Sequence, residues 1–531
     1  MSSSFSFAHE FIKRLEQQSP YATSRWQTSE LPSYQVGGSG GDGGATSSPD
    51  GDLLVSQSTP QSFVLGTGAS IFTNTLIPAI ASAQSEVIFV TCFWAPSTTL
   101  TAIHDALTSL ANHRRRLVSD ARSRGAPAIP ALRVRICLSS RSLFQKLLHP
   151  QSRQGYVYPP STWPKQLGLP DPALLKAAAI DLHVKSLFFL PFSVMHPKFV
   201  IIDRQRAFVP SCNVSWESWL EGCVELTGPA IVGLMSFYSR TWERDLDFRA
   251  PLYHQGLELP SLDAQDAGFP KVHSATHHRV TVSSASAPSP TLILPSSYHW
   301  NPHFHPFPWQ ESPRTPGTPL NVALLELLDR AQRTIYIQTP NLTCEPAIAA
   351  LLDALQRGVD VTIVTSRNMM LLEQLVTAGT TTSWCIRSLV RRFRLLKGGV
   401  ATSRKPLLTG DRRRSPVDDD LEAGRPPLGH LCISYFQARP GSKMGGNEGQ
   451  HLMTAEPHGE EPVHSHLKLT IVDGQYTVLG SQNMDRASWY TSQELGILFH
   501  DESFAVAVKA GVDTALDGRL NQIFDSGESR N

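Results

Sequence analysis

Short runs of β-branched residues alternate with stretches of helical periodicity on both sides of a proline-rich middle. The first half has the apolar runs SEVIFVTCFWAP (85–96) and LRVRICLSS (132–140). The second half has RTIYIQTPNLTCEP (333–346) and VTIVTSR (361–367), each after a helix-like segment. This alternation indicates an α/β architecture with an at least partly parallel sheet. The recurrence of the plan predicts an internal duplication.

One apolar run has polar ends that a buried strand usually lacks. It is HPKFVIID, residues 196–203. Because alternate side chains of a strand share a face, His196 and Lys198 point one way while Phe199 and Ile201 point into the opposite layer. A strand here can belong to the core on one side and carry chemistry on the other.

The same pattern returns in the second half as HLKLTIVD, residues 466–473. The two stretches align without a gap for 18 residues, from the histidine to an asparagine. In each, lysine follows the histidine by two residues, aspartate by seven, serine by fifteen and asparagine by seventeen. The matched pairs are His196 and His466, Lys198 and Lys468, Asp203 and Asp473, Ser211 and Ser481, and Asn213 and Asn483. A single short motif can arise by chance, but two copies with the same downstream residues are not accidental.

The residues after each aspartate predict a tight turn and a return strand. This hairpin brings Asn213 and Asn483 back beside the histidine and lysine of their own half. Each half then offers an imidazole, an ammonium, an amide and a hydroxyl, a set suited to holding phosphate oxygens.

The paired motif resembles the phospholipase D superfamily, whose signature is HxKxxxxD followed by a GSxN segment. The resemblance covers roughly residues 61–252 and 316–525, and RGVDVTIV (357–364) is similar to the cardiolipin synthase and phosphatidyltransferase branch. It implies two similar phospholipase D-like lobes, each a mixed sheet flanked by helices. The lobes would pack about a pseudo-twofold axis, with both motifs in one cleft.

The resemblance also implies a mechanism without metal or cofactor. His196 is expected to attack the phosphodiester and form a phosphohistidine, while His466 serves as the acid and then the base. The charge on the phosphoryl oxygens would be stabilised by Lys198, Lys468, Asn213 and Asn483.

Family members carry an acid downstream of each asparagine that orients an imidazole. Glu225 and Glu494, which lie 12 and 11 residues beyond the asparagines, match best. Four motif residues are expected to be structural: Asp203, Asp473, Ser211 and Ser481. Pro210 occupies the position of Gly480 and lacks an N–H, so we expect the local geometry of Ser211 to differ from that of Ser481.

Composition divides the chain into segments. VGGSGGDGGATSSPDGD (36–52) has the composition of a flexible linker. We therefore expect an N-terminal segment with a disordered Gly/Ser linker (1–60), a first lobe (61–255), a Pro- and His-rich connection (256–315) and a second lobe (316–525). Flexible loops are expected within the second lobe near 400–428 and 439–463.

Charge and cysteine content indicate the cellular location of the protein but not the class of its binding partner. The chain has 47 Lys plus Arg against 46 Asp plus Glu, so its net charge favours neither nucleic acid nor acidic lipid. Its seven cysteines form no CxxC pair, which is typical of reduced thiols in an intracellular protein. The chain shows no secretory signal and no apolar run of about 18 residues. We expect a cytoplasmic protein that contacts membranes peripherally.

Three further segments carry weaker signals. SYHWNPHFHPFPW (297–309) could line a lipid pocket or bind a metal, but a proline-braced loop fits it better. IRSLVRRFRLLKGG (386–399) could lie as a helix on an anionic membrane, grip nucleic-acid phosphates, or be a solvated helix face. HRRR (113–116) is interpreted as structural, near a helix end.

Three functions are compatible with these observations. The first is a phospholipid-directed transferase or hydrolase, the second a metal-independent endonuclease, and the third a catalytically dead scaffold that binds lipid or nucleic acid. Because both motifs lie in one chain, the enzyme is expected to act as a monomer.

Overall fold

The computed structural model describes residues 3–22, 54–141, 155–189, 193–244, 246–249, 252, 260, 262, 269, 271–281, 287–296, 315–403, 427–440 and 461–527. The helices are α1 Ser3–Ala22, α2 Gly68–Ile71, α3 Ile77–Ala81, α4 Thr98–Ser123, α5 Pro172–Ala177, α6 Ala230–Trp242, α7 Pro319–Arg330, α8 Glu345–Gln356, α9 Leu371–Ala378, α10 Thr382–Ser403, α11 Arg486–Tyr490 and α12 Glu502–Leu516. Three short turns of other helix types span Phe72–Leu76, Pro160–Thr162 and Trp163–Leu167.

The strands fall into two series. Those of the first are β1 Val55–Thr67, β2 Glu86–Phe93, β3 Leu132–Ser140, β4 Tyr156–Val157, β5 Ile180–Ser186, β6 Phe188–Phe189, β7 Ser193–Val194, β8 Phe199–Ile202, β9 Arg206–Pro210, β10 Trp219–Thr227 and β11 His278–Thr281. Those of the second are β12 Ser289–Ser296, β13 Thr334–Thr339, β14 Asp360–Ser366, β15 Leu431–Phe436, β16 His464–Ser465, β17 Leu469–Val472, β18 Tyr476–Gly480, β19 Glu494–His500 and β20 Leu520–Asp525.

Each half builds a mixed sheet, and the two sheets repeat one strand order. The first runs β5-β3-β2-β8-β9-β10-β1, and the second runs β15-β14-β13-β17-β18-β19-β12. In each, the first two pairings are parallel and the others antiparallel. The predicted α/β class with a mixed sheet flanked by helices is confirmed.

Amphipathic patterning explains the layers. The motif strands β8 and β17 are buried at every position, as expected for strands covered on both faces. One core lies between the two sheets and includes the apolar helices α6 and α12. A second core lies under the outer helices of the first half, and a third under those of the second half.

The segment boundaries differ from the composition-based expectation at two places. Strand β1 begins at Val55, and its first residues pair with β12 while the later ones pair with β10. Strands β11 and β12 belong to the sheets, although they lie within the expected connection 256–315. Composition does not distinguish such short strands, edged by serine and proline, from a connection, because their pairing partners are distant in sequence.

The N-terminal helix α1 is also part of the folded structure. Its buried face consists of Phe7, Phe11 and Leu15, and Arg14 forms ion pairs with Glu326 and Asp329 of α7. The expectation that the folded part begins after the linker, at residue 61, is therefore wrong. The side chains repeat every four residues, which is the spacing of one helix face.

Other expectations concern two helices and the segments outside the described residues. Residues 386–399 are helical within α10, as predicted. Residues 113–116 lie inside α4 instead of near its end, and Arg114 is buried with its guanidinium donating to the carbonyl of Ala178. Within the described residues, no helix is long and apolar enough to cross a membrane. The linker 36–52, the aromatic segment 297–309 and most of the two expected loops lie outside the described residues.

Candidate active site

The histidine and lysine of each motif lie in the segment that enters the motif strand. Lys198 and Lys468 are 2% and 4% exposed, so their ammonium groups are almost entirely removed from solvent. Each ammonium donates to the carbonyl oxygen of its own motif histidine, at 2.9 Å for Lys198 to His196 and 2.6 Å for Lys468 to His466. This local contact fixes lysine and histidine as one unit in each half.

The backbone of each motif histidine pairs with the other half of the chain. The His196 N–H donates to the carbonyl of Gln493 at 3.0 Å, and the His466 N–H donates to the carbonyl of Leu220 at 2.9 Å. Gln493 and Leu220 each directly precede a glutamate. Each histidine is therefore placed beside a glutamate carried by the opposite sheet.

The two imidazoles contact these glutamates reciprocally. His196 Nδ1 lies 2.9 Å from a carboxylate oxygen of Glu494, and His466 Nδ1 lies 2.7 Å from one of Glu221. Both glutamates are fully buried, at 0% and 1% exposure. Because the carboxylate fixes Nδ1 and the ring orientation, Nε2 is the nitrogen positioned for chemistry.

The motif serines hold the same carboxylates from the other side. Ser211 Oγ donates to Glu221 and accepts from the N–H of Gly222 at 2.9 Å. Ser481 Oγ donates to Glu494 and accepts from the N–H of Leu495 at 3.0 Å. Each half thus supplies a serine–glutamate pair that holds the histidine of the other half.

Pro210 does not disturb Ser211. The Ser211 N–H donates to Gly222 at 2.8 Å, close to the 3.0 Å of the equivalent bond from Ser481 to Leu495. Gly480 is different, because its φ is +150° and an added Cβ would lie 2.3 Å from the Leu495 carbonyl oxygen. Glycine is therefore required only in the second half, where the two strands approach closely.

Glu225 is not the acid beside an imidazole, and this expectation is corrected. Its carboxylate lies 2.8 Å from the Arg206 guanidinium. Glu221 and Glu225 share a strand face, but four residues separate them by about 13 Å. The acid of the first half is therefore Glu221.

Uneven spacing explains the error. Glu221 lies 8 residues after Asn213, whereas Glu494 lies 11 after Asn483, because the second half inserts the short helix α11 between them. The signal that identifies Glu221 is its position at the start of a strand, next to the residue that pairs with the motif serine. A fixed count from the asparagine misses this register.

The motif asparagines are buried and held in different ways. Asn213 Oδ1 accepts from the Phe93 N–H at 3.2 Å. Asn483 instead donates from Nδ2 to Asp485 at 2.9 Å, and Asp485 also caps α11 through the N–H of Ser488. The first-half amide is thus anchored by its oxygen and the second-half amide by its nitrogen.

The motif aspartates anchor the turns at the far ends of the motif strands. Asp203 accepts from three successive backbone N–H groups, of Gln84, Ser85 and Glu86, at 2.7 to 2.9 Å. Asp473 accepts from Gln332, Arg333 and Thr334 in the same manner. Both adopt positive φ, +50° and +55°, which these contacts stabilise. Their carboxylates lie at the strand end opposite the histidines.

Burial controls the protonation of the site. Burial, together with Lys198 and Lys468, lowers the pKa of His196 well below its usual value. Burial lowers the pKa of His466 to about 3, although Glu221 opposes the shift. Both imidazoles are therefore neutral near pH 7. Burial also lowers the pKa of Lys468 to about 7.

The two glutamates differ in charge. Burial raises the pKa of Glu494 to about 8, against the opposing effects of Ser481 and Lys198. Burial also acts to raise the pKa of Glu221, but His466 and Lys468 outweigh it and the net shift is downward. Near neutral pH Glu494 holds a proton and Glu221 is a carboxylate.

An aromatic wall, Phe93, Trp216 and Trp219, borders the site on the first-half side. Phe93 stacks on Trp216 at 4.9 Å between ring centroids, Trp216 stacks on Trp219 at 5.0 Å, and Trp219 lies 5.0 Å from the His466 ring. Trp216 adopts a positive φ of +51°, which is unusual for an aromatic residue and marks a constrained loop. No sequence pattern identified this wall.

Two of these positions are polar in the second half. The bridges Trp94 to Val214 and Leu342 to Met484 align the two halves at this edge. By this alignment Asn341 corresponds to Phe93 and Arg486 to Trp216. The two halves therefore differ at these positions, which are aromatic in the first half and polar in the second.

Two sheets with one strand order, two histidine–lysine–asparagine sets and reciprocal histidine–glutamate pairs define a two-lobed site suited to phosphoryl transfer. Residues 324–513 match the family model described as cardiolipin synthase, PLD-like domain. This part of the chain is similar to a phospholipase D-like domain, and the resemblance to that superfamily and its cardiolipin synthase-like branch is confirmed.

Solved structures similar to the chain have low identity. Phosphatidylserine synthase from Haemophilus influenzae Rd KW20 is 15% identical with a TM-score of 0.47, covering 88% of this chain and 89% of that one. Nuc, a phospholipase D family member from Salmonella typhimurium, is 16% identical with a TM-score of 0.21, covering 38% and 90%. At these values neither likeness supports a conclusion about activity. No curated protein matches the chain in sequence.

Proposed function

We propose that the protein cleaves or transfers a phosphodiester of the phospholipid class through a phosphohistidine intermediate, as phosphatidyltransferases and phospholipases D do. The observation that carries the proposal is the reciprocal holding of His196 by Glu494 and of His466 by Glu221. A merely structural histidine needs no buried carboxylate on Nδ1, and two such pairs with two buried lysines form a complete phosphoryl-transfer set.

The steps follow from the geometry. Nε2 of one neutral imidazole attacks phosphorus. The other histidine takes up a proton from solvent on Nε2 before the step, and the bond to the leaving alcohol breaks as this proton is delivered to that oxygen. The phosphoryl group is then bound to the first histidine. Water or a second alcohol, deprotonated by the other histidine, attacks phosphorus and frees the first. Lys198 and Lys468 stabilise the oxygens that gain charge.

Two observations bear on which histidine is the nucleophile. Resemblance to the superfamily assigns the attack to His196. The charge difference between the glutamates favours the reverse, because Glu494 holds a proton that can be passed through His196 whereas Glu221 faces His466 as a carboxylate. We retain His196 as the nucleophile in the proposal. Enzyme labelled with ³²P-phospholipid is quenched in alkaline detergent, because the P–N bond of a phosphohistidine is cleaved by acid. After digestion and mapping it should carry phosphorus on His196, and label on His466 would reverse the assignment.

The aromatic wall supports phospholipid as the substrate class. The stacked rings of Phe93, Trp216 and Trp219 give one side of the cleft an apolar surface, which suits the glycerol backbone and acyl region of a lipid better than a sugar–phosphate chain. Single-stranded nucleic acid is the second candidate, because bases also stack on aromatic side chains.

The test offers each substrate to the same preparation in the presence of EDTA. Phosphatidylglycerol vesicles, phosphatidylcholine vesicles with added alcohol, and single-stranded DNA are incubated with wild type, His196→Ala and His466→Ala. His183→Ala is the matched control, because His183 is exposed and lies on β5, which β3 and β2 separate from the motif strand β8. Cardiolipin or a transphosphatidylated alcohol, lost in the first two variants and kept in the control, supports the proposal. Cleaved DNA without lipid products would make the protein a nuclease. No product from any substrate would favour the scaffold.

A further inference from the structure

The helix α10 exposes a mixed apolar and basic face. Trp384 and Leu395 are 56% and 69% exposed, which is high for large apolar side chains. Together with Arg387 and Arg391 they form the α10 stripe, at positions i, i+3, i+7 and i+11 of one helix face. Both arginines are exposed.

The opposite face of α10 is firmly packed. Ile386, Leu389 and Phe393 are buried in the core of the second half. The other cationic side chains of α10 have partners in neighbouring segments of the second half. Arg392 pairs with Glu345, Lys397 donates to the carbonyl of Ser526, and Arg394 lies over the Phe524 ring. The stripe is therefore the outward surface of an ordered helix.

Helix α9 extends the apolar surface. Leu372 and Leu375 are 77% and 44% exposed, and residues 379–381 join their helix directly to α10. Of the nine large apolar side chains exposed within the described residues, four lie on these two consecutive helices. Such a concentration marks an interaction surface, whereas scattered single exposures need no explanation.

This surface is connected by hydrogen bonds to the second-half segments of the active site. The side-chain amides of Gln374 in α9 and Asn341 are hydrogen-bonded at 2.9 Å. Thr382 in α10 accepts from the Leu342 N–H at 3.0 Å, and Leu342 bridges to Met484, the neighbour of Asn483. The two helices are therefore linked through Leu342 to the segment that carries Asn483.

We propose that α9 and α10 dock the protein on the surface of an anionic phospholipid bilayer. Tryptophan and leucine enter the interface of a bilayer, while outward arginines pair with its phosphates. The phosphates of a nucleic acid would also pair with the arginines, but Leu372, Leu375 and Leu395 would stay exposed to water. This inference rests on the proposed function, because docking would bring the active site to a substrate that resides in the bilayer.

The test separates binding from turnover. The full chain is floated with vesicles of phosphatidylcholine alone or of an equimolar mixture with phosphatidylserine, and turnover is measured separately on lipid in detergent micelles. Arg387→Ala/Arg391→Ala is compared with Arg115→Ala/Arg116→Ala, an equal charge change on the exposed surface of α4. A second variant, Leu372→Ser/Trp384→Ser, removes apolar contacts and keeps the charge.

Each arginine near an anionic surface contributes about 5-fold to partition, so Arg387→Ala/Arg391→Ala should bind mixed vesicles about 25-fold more weakly. Leu372→Ser/Trp384→Ser should lose about 10-fold or more on mixed vesicles. Both variants should keep the wild-type melting temperature and micellar turnover. The proposal is overturned if wild type does not bind mixed vesicles, if the α4 control loses as much, or if single-stranded DNA binding falls while vesicle binding stays. Docking without turnover of any lipid would refute the proposed function alone.

Discussion

Replacing Glu221 by glutamine tests the exchange of acids between the two halves. The Glu221 carboxylate accepts from Ser211 Oγ and lies 2.7 Å from His466 Nδ1. An amide of the same size carries no charge and must turn its NH₂ group toward one of these two donors. The imidazolium that His466 becomes during proton transfer would lose its counterion.

The burial of the pair sets the magnitude. The side chains of His466 and Glu221 are 3% and 2% exposed, so water cannot replace the lost charge. Removing one partner of such a buried pair costs about 3–5 kcal/mol. At about 1.36 kcal/mol per factor of ten in rate, Glu221→Gln should lower kcat by about 10²–10⁴.

The matched control is Glu225→Gln on the same strand. Glu225 pairs with Arg206, whose side chain is 41% exposed, and a pair of this kind contributes about 0–1 kcal/mol to stability. Its kcat should stay within about 2-fold of wild type, because the carboxylate is remote from the imidazoles. Steady-state kinetics on the substrate found active is paired with thermal unfolding, so that a misfolded variant is recognised. Equal loss in both variants, or full activity in Glu221→Gln, would refute the assignment.

Other predictions follow from the buried lysine and the close strands. Lys468→Met should abolish turnover yet raise the melting temperature, because the lysine binds its proton less tightly in the folded state than in the unfolded state. The gain in stability should be full below about pH 7 and should fade as the pH rises toward the pKa of lysine in the unfolded chain. In wild type, kcat/KM should fall as pH rises through about 7, and Lys468→Arg, whose guanidinium stays charged, should move that limb upward; an unmoved limb would assign it to another group. Gly480→Ala should lower the free energy of unfolding by about 1–3 kcal/mol or more, since its Cβ meets a carbonyl oxygen, whereas Pro210→Ala should cost less than about 1 kcal/mol; equal losses in urea titrations would contradict the difference between the halves.

The paired motif was enough to predict which side chains each half contributes and the strand–turn–strand that carries them. His196, Lys198 and Asn213 are close in sequence, so local periodicity places them. Glu221 could not be placed, because its position depends on a strand register and on the absence of an inserted helix.

Long-range packing explains the other omissions. The aromatic wall combines Phe93 with Trp216 and Trp219 from separate segments, and no period in the sequence connects them. The partners of β1 and α1 lie hundreds of residues away in sequence. Tertiary contacts, and not local composition, determine that these two segments are ordered. The Gly/Ser linker led to the wrong fold start because a flexible composition says nothing of the segment before it.

Because the glutamate that orients each histidine belongs to the other lobe, catalysis requires both lobes to be packed together. A lobe produced alone keeps its histidine but loses the carboxylate that orients it, so neither fragment should retain partial activity. Two inactive chains, one altered at His196 and the other at His466, could not rescue each other by simple mixing, since each chain keeps its own pair of lobes joined through β1 and β12. During synthesis, the first lobe would have its motif lysine and histidine in place, but the histidine would not be oriented until the strand that carries Glu494 has folded. Activity then reports that the whole chain has folded.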